Sequence, residues 1–145
     1  MKNALYKQND PESIELTVPA FGYELIRQDV LTEVLGKDSS QLLYWAGKSL
    51  ARKYPLETTD EIINFFSQAG WGTLSIESTN KKEMEIHLTG DLISLRLQNL
   101  KELSFQLEAG FLAQQFQQQR NQLTEAYEQQ KKRALKVIFT IKSDN

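Results

Sequence analysis

Apolar positions first settle into a rhythm between Phe21 and Leu35, where Ile26, Val30 and Val34, with Leu31 and Leu35 beside them, repeat at i, i+4. That spacing predicts a helix with these residues on one face. Gly36 predicts its end, because glycine takes the positive φ of a helix stop without strain. Asp38 followed by Gln41 has the form of a capping box. It opens a second helix through Leu42, Leu43, Tyr44, Trp45, Ala46, Leu50 and Ala51, which Pro55 forbids to continue. This helix is apolar on more than one face. Thr58 with Glu61 repeats the capping signature, and Ile62, Ile63, Phe65, Phe66 and Ala69 fill a third helix that ends at Gly70.

At Trp71 the period changes from about 3.6 to 2. Leu74 and Ile76, then Met84, Ile86 and Leu88, alternate with polar residues around a turn at Thr79, Asn80, Lys81 and Lys82, which predicts an antiparallel hairpin with one face in water. The stretch 92–101 alternates weakly through Ile93, Leu95 and Leu97 and also suits an irregular crossover, so periodicity assigns it nothing. Residues 103–119 are a fourth helix, with Phe111, Leu112 and Phe116 facing in and the glutamines 114, 115, 117, 118 and 119 expected to face water. Gly110 stands inside it although a mid-helix glycine costs roughly 1 kcal/mol against alanine, which predicts a close backbone approach there. Beyond it, propensity would continue the helix through residues 124–136, whereas Leu135, Val137, Phe139 and Ile141 alternate as a strand. Periodicity fixes the last strand but not whether residues 123–129 pair with it.

Composition narrows the chemistry. A chain of 145 residues has the usual size of one domain and can bury a core without staples. The polar first 20 residues, with Pro11 and Pro19, predict an N-terminal arm over 1–20, and residues 21–145 a single domain. There is no cysteine, hence no disulfide framework, thiolate metal site or thiol nucleophile, and the expected location is cytoplasmic. No run approaches the ~20 apolar residues that span a bilayer, so no membrane insertion is expected. A net charge of −2 from 17 basic and 19 acidic residues argues against nucleic acid as a partner. The basic run Lys131, Lys132 and Arg133 reads as a solvated turn.

Four segments carry a family resemblance. YWAGKSLARKYPLE (residues 44–57), QAGWGTL (68–74), FQLEAGFLAQQ (105–115) and AYEQQKKRALKV (126–137) resemble the YslB-like family of Gram-positive bacteria, in order and with similar gaps over residues 21–142. That family resembles a wider superfamily of vinyl-reductase-type small-molecule-binding domains, TRAPP vesicle-tethering subunits and haem nitric-oxide-binding domains. The resemblance implies an α+β fold: N-terminal helices, a β-hairpin, a Gly-containing helix and a C-terminal β-hairpin, forming a small antiparallel sheet packed on helices. It implies that residues 125–129 are a strand, and that Gly110, Phe111, Leu112 and Ala113 supply the Gly-bearing motif of a helix that packs against the first helices. It also implies dimerisation through the early helices. Where such domains often carry a cysteine before the Gly-helix, this chain has Ser104, so acyl-thioester chemistry is excluded. The axial histidine that haem needs on a helix has no counterpart, since His87 falls on a predicted strand.

A non-catalytic, dimeric interaction or scaffold module is therefore the expected function, with no cofactor and no metal. The alternative is a carrier or sensor that holds a hydrophobic small molecule in a cleft lined by some of Tyr44, Trp45, Phe66, Trp71, Phe105, Gly110 and Phe111. An ordinary filled core explains the same aromatics. No catalytic residue is assigned: Ser104, His87 and Asp91 lack a nucleophile-elbow context, and Glu102 and Glu108, six apart, do not share a helical face. Lys48 and Arg52, four apart on the second helix, suit an anionic head group, or pairing with Glu24 or Asp29.

Overall fold

The computed structural model describes residues 6, 16–101 and 103–144. Of the expected arm, residues 1–5 and 7–15 lie outside them, as does Glu102. The chain enters a helix at α1 (Ala20–Glu24), widens to π geometry over Leu25–Val30 and returns to α2 (Leu31–Leu35). In the π segment the turns are a residue larger: the Leu31 N–H reaches the Ile26 carbonyl five residues back. Gly36, at φ 70°, ends the helix. A 3-10 turn over Gly36–Asp38 leads directly into α3 (Ser39–Lys53). The expected capping box at Asp38 is not made, because its side chain caps nothing. The cap at Thr58 is made: Glu61 N–H donates to Thr58 Oγ1 at 3.2 Å and opens α4 (Thr59–Gln68), while the Glu61 carboxylate accepts from the N–H of Glu57, one residue before the cap, at 2.7 Å.

Strands β1 (Thr73–Thr79) and β2 (Glu83–Thr89) form the first hairpin, and Asn80 Oδ1 closes its turn by accepting from Lys82 and Glu83 N–H at 2.9 and 2.8 Å. The stretch that periodicity left unassigned is neither strand nor irregular but helix α5 (Asp91–Asn99). Gly90 enters it at φ 139°, Asp91 places a negative charge at its N-terminus, and Ile93, Arg96 and Leu97 form an i, i+3, i+4 buried face. The apparent alternation came from Leu95, which points outward at 55% exposure.

Helix α6 (Gln106–Arg120) follows, and then β3 (Thr124–Lys131) and β4 (Lys136–Ser143). Residues 132–135 turn between these strands, so Lys132 and Arg133 sit where the solvated turn is expected. All pairings are antiparallel, in the order β1-β2-β4-β3. The register places inward residues opposite one another (Leu88 with Val137, Ile86 with Phe139, Met84 with Ile141), so one sheet face is apolar. The result is the expected α+β architecture.

Helix α6 runs between the sheet and α3 and is buried without a break from Glu108 to Phe116. A helix enclosed on all sides must satisfy every polar side chain it carries. Here the glutamines depart from expectation: Gln115 is fully buried and Gln114 nearly so, rather than facing water. Gln115 Nε2 donates to the Tyr54 carbonyl at 2.7 Å and its Oε1 accepts from Leu56 N–H at 3.0 Å, bracketing Pro55. Gln118 and Gln119 donate to the carbonyls of Ala51 and Leu56 at 3.3 and 3.0 Å, and Gln117 accepts from Thr124 N–H at 3.2 Å. Gln115, Gln118 and Gln119 thus supply partners to the backbone around Pro55, where α3 can no longer do so. Gln115→Leu keeps the volume and strands two buried backbone groups. It is expected to destabilise by about 2 kcal/mol, read as a lowered midpoint in thermal denaturation, and Gln115→Glu, lacking the amide donor, should not restore it.

Candidate functional site

Helices α3 and α6 cross at two glycines. A Cβ on Gly110 would stand 2.0 Å from the Tyr44 carbonyl oxygen, and one on Gly47 would stand 2.1 Å from the Leu107 carbonyl oxygen. The close approach expected at Gly110 is therefore real, and its partner is backbone. Gly47, which pattern reading passed over beside Ala46, serves the same contact from the other helix.

The expected cleft residues do not gather in one place around this crossing. Phe66, Trp71 and Phe111 are buried and in mutual ring contact, at 5.0 Å for Phe66 with Trp71, 5.3 Å for Trp71 with Phe111 and 5.9 Å for Phe66 with Phe111. Phe65 stacks on Phe111 at 4.6 Å, and Tyr6 meets Phe65 at 5.0 Å and Tyr54 at 5.5 Å. Phe105 is also fully buried, but near Arg96 rather than in the ring cluster. Tyr44 is half-buried and polar in its partners: its hydroxyl donates to Glu125 Oε2 at 2.5 Å and accepts from Ala126 N–H at 3.0 Å. Burial first, and then the Glu125 carboxylate, hold the Tyr44 hydroxyl well above the usual phenol range. Trp45 joins none of these, since it is 64% exposed on α3.

Lys48 pairs with Glu125 at 3.1 Å, from the sheet, and not with Glu24 or Asp29. Arg52 is exposed. His87 lies on β2 with its Nε2 2.8 Å from Glu85 Oε2, Ser104 Oγ accepts from Gln106 N–H at 3.2 Å, and Asp91 is exposed at the first residue of α5. Among the described residues, no three His, Asp or Glu side chains group as a metal site.

Two ion pairs that pattern reading missed fasten the first helix to the body. Arg27, 5% exposed, donates from Nη2 to both oxygens of the fully buried Glu108 at 2.6 and 2.9 Å. Arg96, 3% exposed, donates from Nε to Glu24 Oε1 at 2.7 Å. Burial acts to lower the Arg27 pKa, but Glu108 and the Tyr23 hydroxyl together raise it further than burial lowers it, so the guanidinium stays charged. Glu24 and Arg27 lie on one face of the helix, and that face meets the body. The face built on Ile26, Val30 and Val34 points outward at 61%, 49% and 72% exposure, with Phe21 at 72% and Leu25 at 38%. Leu31 and Leu35 are half-buried. The only sequence sign of the true docking face is a pair of charges at i, i+3, which reads in isolation as solvated.

Beside Arg27 a cavity of about 410 Å³ opens between the π segment, the start of α3 and the loop before α6. Its lining is mostly polar, with Arg27, Thr32, Lys37, Ser39, Ser40 and Ser104 among the contributing residues.

A family model described as "Protein of unknown function (DUF2507)" matches residues 20–142. The chain is 54% identical over 130 residues to the uncharacterized protein YslB of Bacillus subtilis, covering 90% of this chain and 88% of that one. Among solved structures it is similar to a vinyl-4-reductase family protein from Methanocaldococcus jannaschii, with TM-score 0.67, 18% identity and coverage of 90% and 85% of the two chains. It is also similar to an H-NOX protein from K. algicida, with TM-score 0.55, 14% identity and coverage of 95% and 83%. These two likenesses are of fold.

Proposed function

The chain belongs to the DUF2507 family of proteins of unknown function, and from that premise we propose that it is a non-catalytic interaction module that self-associates as a homodimer through the outer face of its first helix. One observation carries this reading: Phe21, Leu25, Ile26, Val30 and Val34 are all exposed along a single helix of a 145-residue chain. Scattered surface apolar residues are ordinary, but a row of large ones along one element marks an interaction surface. Leu42 and Trp45, 41% and 64% exposed on the helix against which α2 packs, add to the apolar surface. A second copy is the fitting occupant, because one helix face laid on its own two-fold image is apolar against apolar at every position, the condition of an isologous interface. The dimerisation implied by the resemblance to TRAPP-type and vinyl-reductase-type domains points the same way.

The non-catalytic half of the reading rests on an absence of cysteine and on a single histidine held by Glu85. The carrier alternative draws less support, because Phe66, Trp71 and Phe111 fill the space between them with one another. No helix among the described residues is long and apolar enough to cross a membrane. Light scattering at high micromolar concentration is expected to return a dimer, and a monomer under those conditions would remove the proposal.

A further inference from the structure

The end of the sheet at the β3–β4 turn gathers cations that the fold does not use. Lys131 and Lys136 are direct partners in the β3–β4 ladder, so their side chains leave the same face of the sheet opposite one another. Val137, Phe139 and Ile141 alternate inward, which puts that face on the side away from the core. Like charges opposed in this way weaken a ladder. Lys132 and Arg133 follow in the exposed turn, and among the described residues none of the four makes an ion pair or a side-chain hydrogen bond. The carboxylates of β2 and β3 are engaged elsewhere: Glu125 by Lys48 and Tyr44, Glu128 by the Phe105 N–H and the Gln106 amide, and Glu85 by His87, while Glu83 stands opposite Lys142 at the far end of the strands. Asp91, exposed at the start of α5, makes no ion pair with the cluster. The turn that carries the charges is held in place: Leu135 takes φ 54°, uncommon for a bulky residue, and half-buries its side chain against the core.

We propose that this end of the outer sheet face is a docking surface for an acidic segment of a partner protein, with carboxylates on Lys131, Lys132, Arg133 and Lys136 and an apolar side chain on Tyr127 and Ile138. The charge is the first argument. Four of the 17 basic residues stand together at 131–136 in a chain whose net charge is −2, so the positive field is local and complementary to a short acidic stretch. A duplex or single-strand binder needs cations spread along a backbone path, on a protein of basic balance, and this chain has a pI of about 5.5. A lipid surface is a poorer fit because the turn, residues 132–135, offers no exposed large apolar side chain to enter it. Beside the cations, Tyr127 is 56% exposed and Ile138 half-buried on the same outer face, the mix of aromatic and basic side chains typical of protein contacts. This surface lies on the sheet and not on the first helix, so the inference stands whether or not the chain dimerises.

Titration of ¹⁵N-labelled full-length protein with a glutamate-rich peptide carrying one central phenylalanine tests this, with a thymidine oligonucleotide and phosphatidylserine-containing vesicles in parallel. The peptide is expected to give saturable shifts confined to the amides of residues 127–138. Lys136→Glu and, separately, Lys132→Glu are expected to weaken its binding by about tenfold. Lys81→Glu, at the other hairpin turn, should leave it unchanged. Because Lys136→Glu turns a like-charge pair into an opposite one, its melting temperature should be no lower than that of the wild type. Peptide shifts that do not saturate, that survive both substitutions in the cluster, or that are lost equally in Lys81→Glu would overturn the surface. Tighter binding of the oligonucleotide or the vesicles than of the peptide would overturn the choice of partner, and a lower melting temperature for Lys136→Glu would show that the fold does use these lysines.

Discussion

Gly110→Ala is expected to destabilise the protein by about 3 kcal/mol, at the upper end of what overpacking costs. The added methyl meets the Tyr44 carbonyl oxygen at 2.0 Å, and the obstacle is backbone, so no rotamer change relieves it and α3 must move off α6. Helix propensity acts the other way by about 1 kcal/mol and is outweighed. Denaturant unfolding should show a lower midpoint with an unchanged m-value, and a higher midpoint would refute the packing account. Gly47→Ala should behave alike. Because one separation of the two helices relieves both clashes, the double variant should cost clearly less than the sum of the two.

Arg27→Met is expected to cost about 3 to 5 kcal/mol, the loss usual when one member of a buried pair is removed and the other stays charged. The stranded group is the Glu108 carboxylate, which is fully buried in the middle of the fold. Adding Glu108→Leu to that variant removes the uncompensated charge and should recover most of the loss, since an apolar replacement of a whole buried pair is often close to neutral. Urea unfolding of the two single variants and the double variant closes the cycle. A double variant as unstable as the sum of the singles would mean that the pair does not act as a unit.

The elements with strong periodicity were legible before any coordinate: the first hairpin, the last strand, the helices on either side of Pro55, and the Gly110 helix with its close approach; the strand at residues 125–129 was implied only by the family resemblance. Each follows from local chemistry that tertiary context reinforces. Much of what escaped has one physical origin, the burial of polar groups by partners distant in sequence. Gln115 reads as solvent-facing until the carbonyl of Tyr54 and the N–H of Leu56 are brought to it. Arg27 and Glu108, 81 positions apart, look like ordinary surface charges until they meet. That pairing also orients the first helix, because the charged face docks inward and leaves the apolar stripe outside. Helix α5 was hidden because its short apolar run fits periods of both 2 and 3.6. At the expected cleft, composition identified aromatic residues that do come together, Phe66, Trp71 and Phe111, but nothing in the pattern separated them from exposed Trp45 or hydrogen-bonded Tyr44.

The outward stripe on the first helix is the feature on which the proposed function stands, and sedimentation equilibrium of the wild-type chain beside Ile26→Glu tests it most directly. Ile26 is 61% exposed, so a charge there spares the fold and burdens only an interface. The expected result is a wild-type species at twice the chain mass of 16.7 kDa and a variant at the single-chain mass with an unchanged melting temperature. A wild-type protein that sediments as a single chain at high micromolar concentration, or a variant that remains a dimer, would contradict it.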